Sequence, residues 1–171
     1  MVGWNYERGE AMSNPQVAIL MGSRSDAEIM RATAKILDEF EIPYEMRVLS
    51  AHRTPNETRT YVENAESRGI EVLIAGAGFA AHLAGTLAAY SILPVIGVPI
   101  DSSPLAGVDA LYSTVQMPGG IPVATMTIGK AGAKNAGLFA VQILSRKDPI
   151  LVDKLRDYRD RMRKGILETK L

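Results

Sequence analysis

Short apolar runs alternate along this chain with longer stretches whose apolar residues return every three or four positions. "QVAILMG", "IEVLIA" and "PVIGVPI" are nearly continuous apolar runs closed by turn residues, the signature of strands buried on both faces. "YEMRVLS" and "PVATMTI" are shorter strand patterns of mixed character. Between them lie helical periods. "DAEIMRATAKILDEF" repeats Ile29, Met30, Thr33, Ile36, Leu37 and Phe40 at helical spacing, and Pro43 follows its end. "PNETRTYVENAESR" reads as a second helix with Gly69 as its C-terminal stop. "GAGFAAHLAGTLAAYS" and "KAGAKNAGLFAVQILS" are helices of small residues, each entered through a glycine-rich turn or a lysine. "PLAGVDALYSTVQ" places Leu105, Val108, Leu111, Tyr112 and Val115 on one side. Residues 148–170 form a charged amphipathic helix carrying Ile150, Leu151, Leu155, Tyr158, Met162 and Ile166.

Repeated strand–helix units predict a parallel sheet with helices on both faces, joined by right-handed crossovers into a doubly wound α/β sandwich. Residues 1–15 read as a polar arm, residues 16–147 as the α/β domain, and residues 148–171 as an added helix that packs on the domain or on a neighbouring subunit. Ligands in such folds sit at the carboxyl ends of the strands, so the informative residues are those that end strands.

Three strand-ending turns carry polar chemistry. In the first, "MGSRSDAE", Ser25 and Glu28 have the spacing of a capping box. Gly22 lets the backbone approach a ligand, and helix-start amides with Ser23 and Ser25 suit a phosphate. Asp26 would repel a phosphate and suits sugar hydroxyls instead. The alternative is that Ser25 and Asp26 only cap the helix. In the second turn, "SAHRTPNE", Thr54 and Glu57 form the same spacing, with Pro55 at the first helical position. That places His52 and Arg53 in the turn itself. Arginine offers a planar fork for phosphate or carboxylate, and histidine exchanges protons near neutral pH. The alternative for His52 is a surface imidazole satisfied by a backbone carbonyl. In the third, "GAGFAAHLAG", Gly76, Gly78 and Ala81 match the dinucleotide fingerprint G-x-G-x-x-G/A, and Asp101 follows about 20 residues later. The plainer reading is a pair of glycines exposing amides to a small anion such as a carboxylate. His82 follows and points at the same pocket or is a buried imidazole.

Composition narrows the chemistry. The 171 residues are 47% hydrophobic and 22% charged, with 19 basic and 19 acidic side chains and a formal net charge of +0. No chain-wide field favours nucleic acid or an anionic membrane, so an anion must be held locally. There is no cysteine, which removes disulfides, thiolate nucleophiles and zinc–thiolate sites and fits a cytoplasmic protein. His52 and His82 are the only histidines and lack metal-ligand spacing, so no metal is expected. No G-x-S-x-G elbow is present for serine hydrolysis. The opening stretch "MVGWNYERGEAMSNPQ" lacks the apolar run of a signal peptide, and no apolar run reaches membrane-spanning length.

From Val17 to Ser145 the chain resembles the N5-carboxyaminoimidazole ribonucleotide mutase family of purine biosynthesis. The resemblance is carried by "MGSRSD", "SAHRTP", "AGAGFAAHLAG", "PVIGVPI", "GVDALYSTVQMPGGIPVAT" and "IGKAGAKNAGL", six motifs in order. It implies a flavodoxin-like three-layer fold with strand order 2-1-3-4-5, homo-octamers and no cofactor. It implies that Ser23, Asp26 and Arg53, assisted by Ser25, hold the ribose 5-phosphate, and that His52 is the proton shuttle. It further implies that Ser50, Ala77, Gly78, His82 and Leu83 frame a carboxylate or CO2 pocket. A related group carboxylates aminoimidazole ribonucleotide directly with CO2. Its second turn typically has lysine at the place of Arg53, which favours the mutase here. This chain departs from the pattern at Phe79, Ala84, Thr86 and Asp101, where the family usually has glycine, proline, methionine and glutamine.

The implied reaction suits these residues. The 5-aminoimidazole ring is an enamine, nucleophilic at C4 without an electron-sink cofactor. An N-carboxylate can leave as CO2 and be recaptured at C4 if it is retained. Amides at a glycine turn then steady the re-formed carboxylate, and one histidine moves the remaining proton. The alternatives are direct carboxylation and a non-catalytic nucleotide-binding module.

Overall fold

A computed structural model describes residues 14–169; residues 1–13 of the expected arm lie outside the described residues. The strands are β1 (Val17–Met21), β2 (Tyr44–Val48), β3 (Val72–Ala77), β4 (Val95–Pro99) and β5 (Ala124–Thr125). The helices are α1 (Ala27–Glu39), α2 (Pro55–Glu63), α3 (Leu83–Tyr90), α4 (Val108–Val115), α5 (Gly129–Leu144) and α6 (Pro149–Leu167). All strands are parallel, in the order β2-β1-β3-β4-β5. This is the expected flavodoxin-like three-layer sandwich with an added C-terminal helix.

Alternation along the strands separates two cores. Val17, Ile19 and Met21 of β1, with Val72 and Ile74 of β3, face α1 and α5. Ala18 and Leu20, with Leu73 and Ala75, face α2 and α3. β1, β3 and β4 are buried on both faces, whereas β2 is a half-exposed edge and β5 is only partly buried, which is why these two read as mixed in sequence. β5 contracts to two residues. Pro122 has no N–H to give to a ladder, although the Met126 N–H still donates to the Gly97 carbonyl at 2.8 Å.

The small-residue stripe of α5 packs inside the subunit. Gly132, Ala133, Ala136, Gly137 and Ala140 are buried, and the Thr33 hydroxyl of α1 donates to the Ala133 carbonyl at 2.7 Å. α4 is the reverse of its sequence pattern. Its buried residues are Ala110 and Thr114, while Leu105, Val108, Tyr112 and Val115 are 63%, 43%, 61% and 48% exposed. Gly97 explains the inversion: a Cβ there would lie 2.4 Å from Thr114 Cγ2. α4 approaches β4 so closely that only small side chains fit between them.

The first half of α6 packs on the end of α1. Leu151 and Tyr158 are buried, the Phe40 and Tyr158 rings lie 5.7 Å apart, and Lys154 pairs with Glu41 and Arg161 with Glu39. Met162, Ile166 and Leu167 in its second half are exposed. Among the described residues, no helix is long and apolar enough to cross a membrane.

Candidate functional site

Parallel register brings the ends of three strands level. Met21 pairs with Val48 on one side and Gly76 on the other. The turns after β1, β2 and β3 therefore meet at one edge, with the β1 turn between the other two. The Gly22 N–H donates to the Gly76 carbonyl at 3.2 Å and the Leu49 N–H to the Met21 carbonyl at 2.9 Å, which ties the three turns together.

The first turn closes on itself. Arg24–Asp26 is a single 3-10 turn capped by Ser23. The Ser23 N–H donates to Asp26 Oδ2 at 3.0 Å, and the Ser25 N–H donates to Ser23 Oγ at 3.4 Å. The Ser25 hydroxyl lies 3.0 Å from Ser23 Oγ. The capping box is thus Ser23 with Asp26, one turn earlier than the expected Ser25 with Glu28. A short 3-10 turn precedes α1, so the side-chain cap is spent there. Asp26 is 5% exposed. Burial raises its carboxyl above the usual range; the Ser23 N–H, the Ser25 hydroxyl and the Arg53 charge oppose that rise.

The second turn folds back over the first. The Arg53 guanidinium donates through Nη2 to the Gly22 carbonyl. Ser50 Oγ accepts from the Arg53 backbone N–H at 3.2 Å and from Nε at 3.3 Å. Arg53 is thereby held across the mouth of the Ser23–Asp26 turn. The expected Thr54–Glu57 capping box does not form, because Thr54 makes no side-chain cap. Its hydroxyl instead accepts from the Ser50 N–H at 2.8 Å and donates to the Ser50 carbonyl at 3.1 Å. It closes the turn that carries His52 and Arg53, while Pro55 starts α2 as expected.

The third turn is longer than a dinucleotide fingerprint requires. Gly76 lies inside β3, buried, and α3 begins only at Leu83. The first glycine of that fingerprint belongs in the tight turn itself; here it is a ladder residue. Ala77 and Gly78 are half-buried, and Leu83 is buried in the core, so what Leu83 offers the turn is backbone. Ser102, from the turn after β4, covers Gly78: a Cβ on Gly78 would lie 2.0 Å from its Oγ. Nothing in the local sequence marks Ser102. It arrives through the pairing of Ala77 with Pro99.

Both histidines converge. His52 Nε2 lies 2.8 Å from His82 Nδ1, with the rings edge to face at 76°. They are 30 residues apart and reach each other across the end of β1, between the turns after β2 and β3. The contact holds one hydrogen, so one imidazole donates while the other accepts. Both rings are solvent-accessible. The edge therefore gathers a guanidinium, two serines, a buried carboxyl, glycine-turn amides and a hydrogen-bonded imidazole pair. Such a group can hold an anionic sugar at one end and move a proton at the other.

The chain resembles known proteins over almost its whole length. Residues 16–165 match the model of the family described as AIR carboxylase. N5-carboxyaminoimidazole ribonucleotide mutase of Pyrococcus abyssi (strain GE5 / Orsay) is 57% identical over 150 residues, which cover 88% of this chain and 85% of that protein. The mutase of the same description from Bacillus subtilis (strain 168) is 57% identical over 155 residues, covering 91% and 96%. The crystal structure of Treponema denticola PurE superposes with a TM-score of 0.81 at 32% identity, covering 90% of this chain and 95% of that one. With the doubly wound sheet, the three meeting turns and these matches together, the chain belongs to the AIR carboxylase family.

Proposed function

We propose that this protein is an isomerase of purine biosynthesis that converts N5-carboxyaminoimidazole ribonucleotide to 4-carboxy-5-aminoimidazole ribonucleotide. The observation that carries the proposal is the 2.8 Å contact between His52 Nε2 and His82 Nδ1 beside the Arg53 clamp. Ser23 and Ser25 hold the phosphate through their hydroxyls; Asp26 grips ribose hydroxyls and Arg53 neutralises the anion. Ser50 supports Arg53 through the two hydrogen bonds it accepts. The imidazole pair gives a proton to N5 as the N5–carboxyl bond breaks and CO2 departs. CO2 waits against Ala77, Gly78 and the start of α3 at Leu83. C4 attacks it, and His52 takes the C4 proton, so the net change moves one carboxylate from N5 to C4 and one proton from C4 to N5. Retaining CO2 replaces a second encounter by a local one, a saving of up to about 7–11 kcal/mol in ideal models. His82 holds the tautomer of His52 and frames the same pocket.

His52→Asn is expected to lower turnover by about 10²–10⁴-fold, the usual worth of a positioned acid–base group, while nucleotide still protects the variant against thermal unfolding. Near-normal turnover would remove His52 from the reaction. Direct carboxylation of aminoimidazole ribonucleotide is separated by substrate: the mutase reading requires product from the N5-carboxylated nucleotide and none from aminoimidazole ribonucleotide with bicarbonate alone.

We further propose that the enzyme is a cytoplasmic homo-octamer whose α/β domain spans residues 16–147. The exposed apolar faces of α4 and of the second half of α6 support subunit contacts.

A further inference from the structure

The turn after β4 reaches the site beside the glycine turn. The Ile100 N–H donates to the Ala77 carbonyl at 2.9 Å, which ties the end of β4 to the end of β3. Further along, the Ser103 hydroxyl donates to Asp109 Oδ1 at 2.7 Å and accepts from the Leu105 N–H at 3.1 Å. Ser102 stands between these two anchors, so its place is fixed from both sides. Its hydroxyl lies over Gly78, 2.0 Å from where a Cβ on Gly78 would be.

Ser102 differs from the other serines of this edge in what its hydroxyl does. Ser23, Ser25, Ser50 and Ser103 all spend theirs on hydrogen bonds within the chain. The Ser102 hydroxyl has no partner among the described residues, and neither has the Gly78 N–H. Asp101, the residue before Ser102, is engaged elsewhere: its carboxylate lies beside Gly129, the first residue of α5, where a helix N-terminus favours negative charge. Two free donors, an amide and a hydroxyl, thus stand together on a rigid support. A carboxylate has two oxygens to satisfy, and donors fixed in advance bind it without reorganisation.

We propose that Ser102 is a further substrate-binding residue: its hydroxyl donates to one oxygen of the nucleotide's carboxylate while the Gly78 N–H donates to the other. This rests on the mutase reading, which puts the carboxylate at Gly78. The contact is made to carboxylated nucleotides and not to aminoimidazole ribonucleotide, so Ser102 is a specificity determinant between them. A site built to hydrogen-bond a substrate group discriminates strongly against the analogue that lacks it.

The test separates the carboxylate from the rest of the nucleotide. Dissociation constants of 4-carboxy-5-aminoimidazole ribonucleotide and of aminoimidazole ribonucleotide are measured by isothermal titration calorimetry on wild type and Ser102→Ala. Loss of a hydrogen bond to a charged group is expected to weaken binding of the carboxylated nucleotide by about tenfold or more, with a matching rise in KM for N5-carboxyaminoimidazole ribonucleotide. Affinity for aminoimidazole ribonucleotide is expected to stay that of wild type, as is the melting temperature, since the hydroxyl has no partner among the described residues. Equal weakening of both nucleotides overturns the assignment, because it marks a disturbed turn rather than a lost contact. Unchanged affinity for both overturns it as well. A wild-type protein that makes no 4-carboxylated product from the N5-carboxylated nucleotide instead overturns the mutase reading itself.

Discussion

Asp26 sets stability against binding at a single residue. Its carboxyl is buried in the first turn, and burial raises its pKa above 3.8 against the opposing pull of Ser23, Ser25 and Arg53. The sign follows directly. A carboxyl whose folded pKa is raised is penalised when ionised, so the penalty is present at neutral pH and is relieved as pH falls through the folded pKa. Asp26→Asn keeps an acceptor for the Ser23 N–H and removes the charge. It is expected to raise the melting temperature at pH 7, with the gain shrinking on acidification, and to raise KM for the nucleotide. Paired thermal melts across pH and steady-state kinetics check both halves; a lower melting temperature at pH 7 would show that the ionised form is favoured in place. Glu45 behaves in the opposite sense. Burial raises its pKa, but the Tyr61 hydroxyl, Arg68 and Arg47 outweigh burial and hold it below 4.5. Its contribution is therefore present above the ordinary glutamate range and lost as pH falls through the folded value.

At the scale of elements, helix α4 shows what a periodic pattern conveys and what it leaves open. The spacing of Leu105, Val108, Tyr112 and Val115 establishes a helical face, but which face meets the sheet depends on Gly97 in another strand. Gly97→Ala places a methyl 2.4 Å from Thr114 Cγ2, and the Thr114 hydroxyl is already committed to the Ala110 carbonyl at 2.7 Å. Overpacking of this kind costs about 1–3 kcal/mol, which urea unfolding of the variant would read; an unchanged midpoint would mean that α4 can move away freely. The same division runs through the rest of the molecule. The buried strands and the turns that carry Arg53 and His52 were legible, because continuous apolar runs and turn residues are local signals, whereas the strand order came only from the family resemblance. The two capping boxes were misplaced. Ser23 and Asp26 close a 3-10 turn that no spacing rule separates from the start of α1, and Thr54 spends its hydroxyl on Ser50. Neither the His52–His82 contact nor Ser102 over Gly78 could be read from neighbours in sequence. Both arise where register levels the ends of different strands.

At the scale of the whole molecule, the outer face of α4 is apolar and exposed among the described residues. Four large side chains at helical spacing, Leu105, Val108, Tyr112 and Val115, are 43–63% exposed, whereas the small-residue stripe of α5 is already consumed against α1. Contiguous apolar surface of this kind on a chain of zero formal net charge favours association, since neither burial nor repulsion opposes it. Subunit assembly, as proposed, would cover it, and the polar inner side of α4 at Thr114 would stay against the sheet. Val108→Asp with Tyr112→Asp puts two carboxylates on that face without touching Ala110 or Thr114. Desolvating unpaired charges at a contact is strongly unfavourable, so the double variant is expected to run as a smaller species by multi-angle light scattering while its far-ultraviolet circular dichroism stays that of the folded subunit. If the mass is unchanged, the α4 face lies outside the subunit contacts, and the exposed end of α6 at Met162, Ile166 and Leu167 becomes the surface to charge next. If mass and turnover fall together, the strand-edge site itself depends on assembly, although His52, Arg53 and Asp26 all come from one chain.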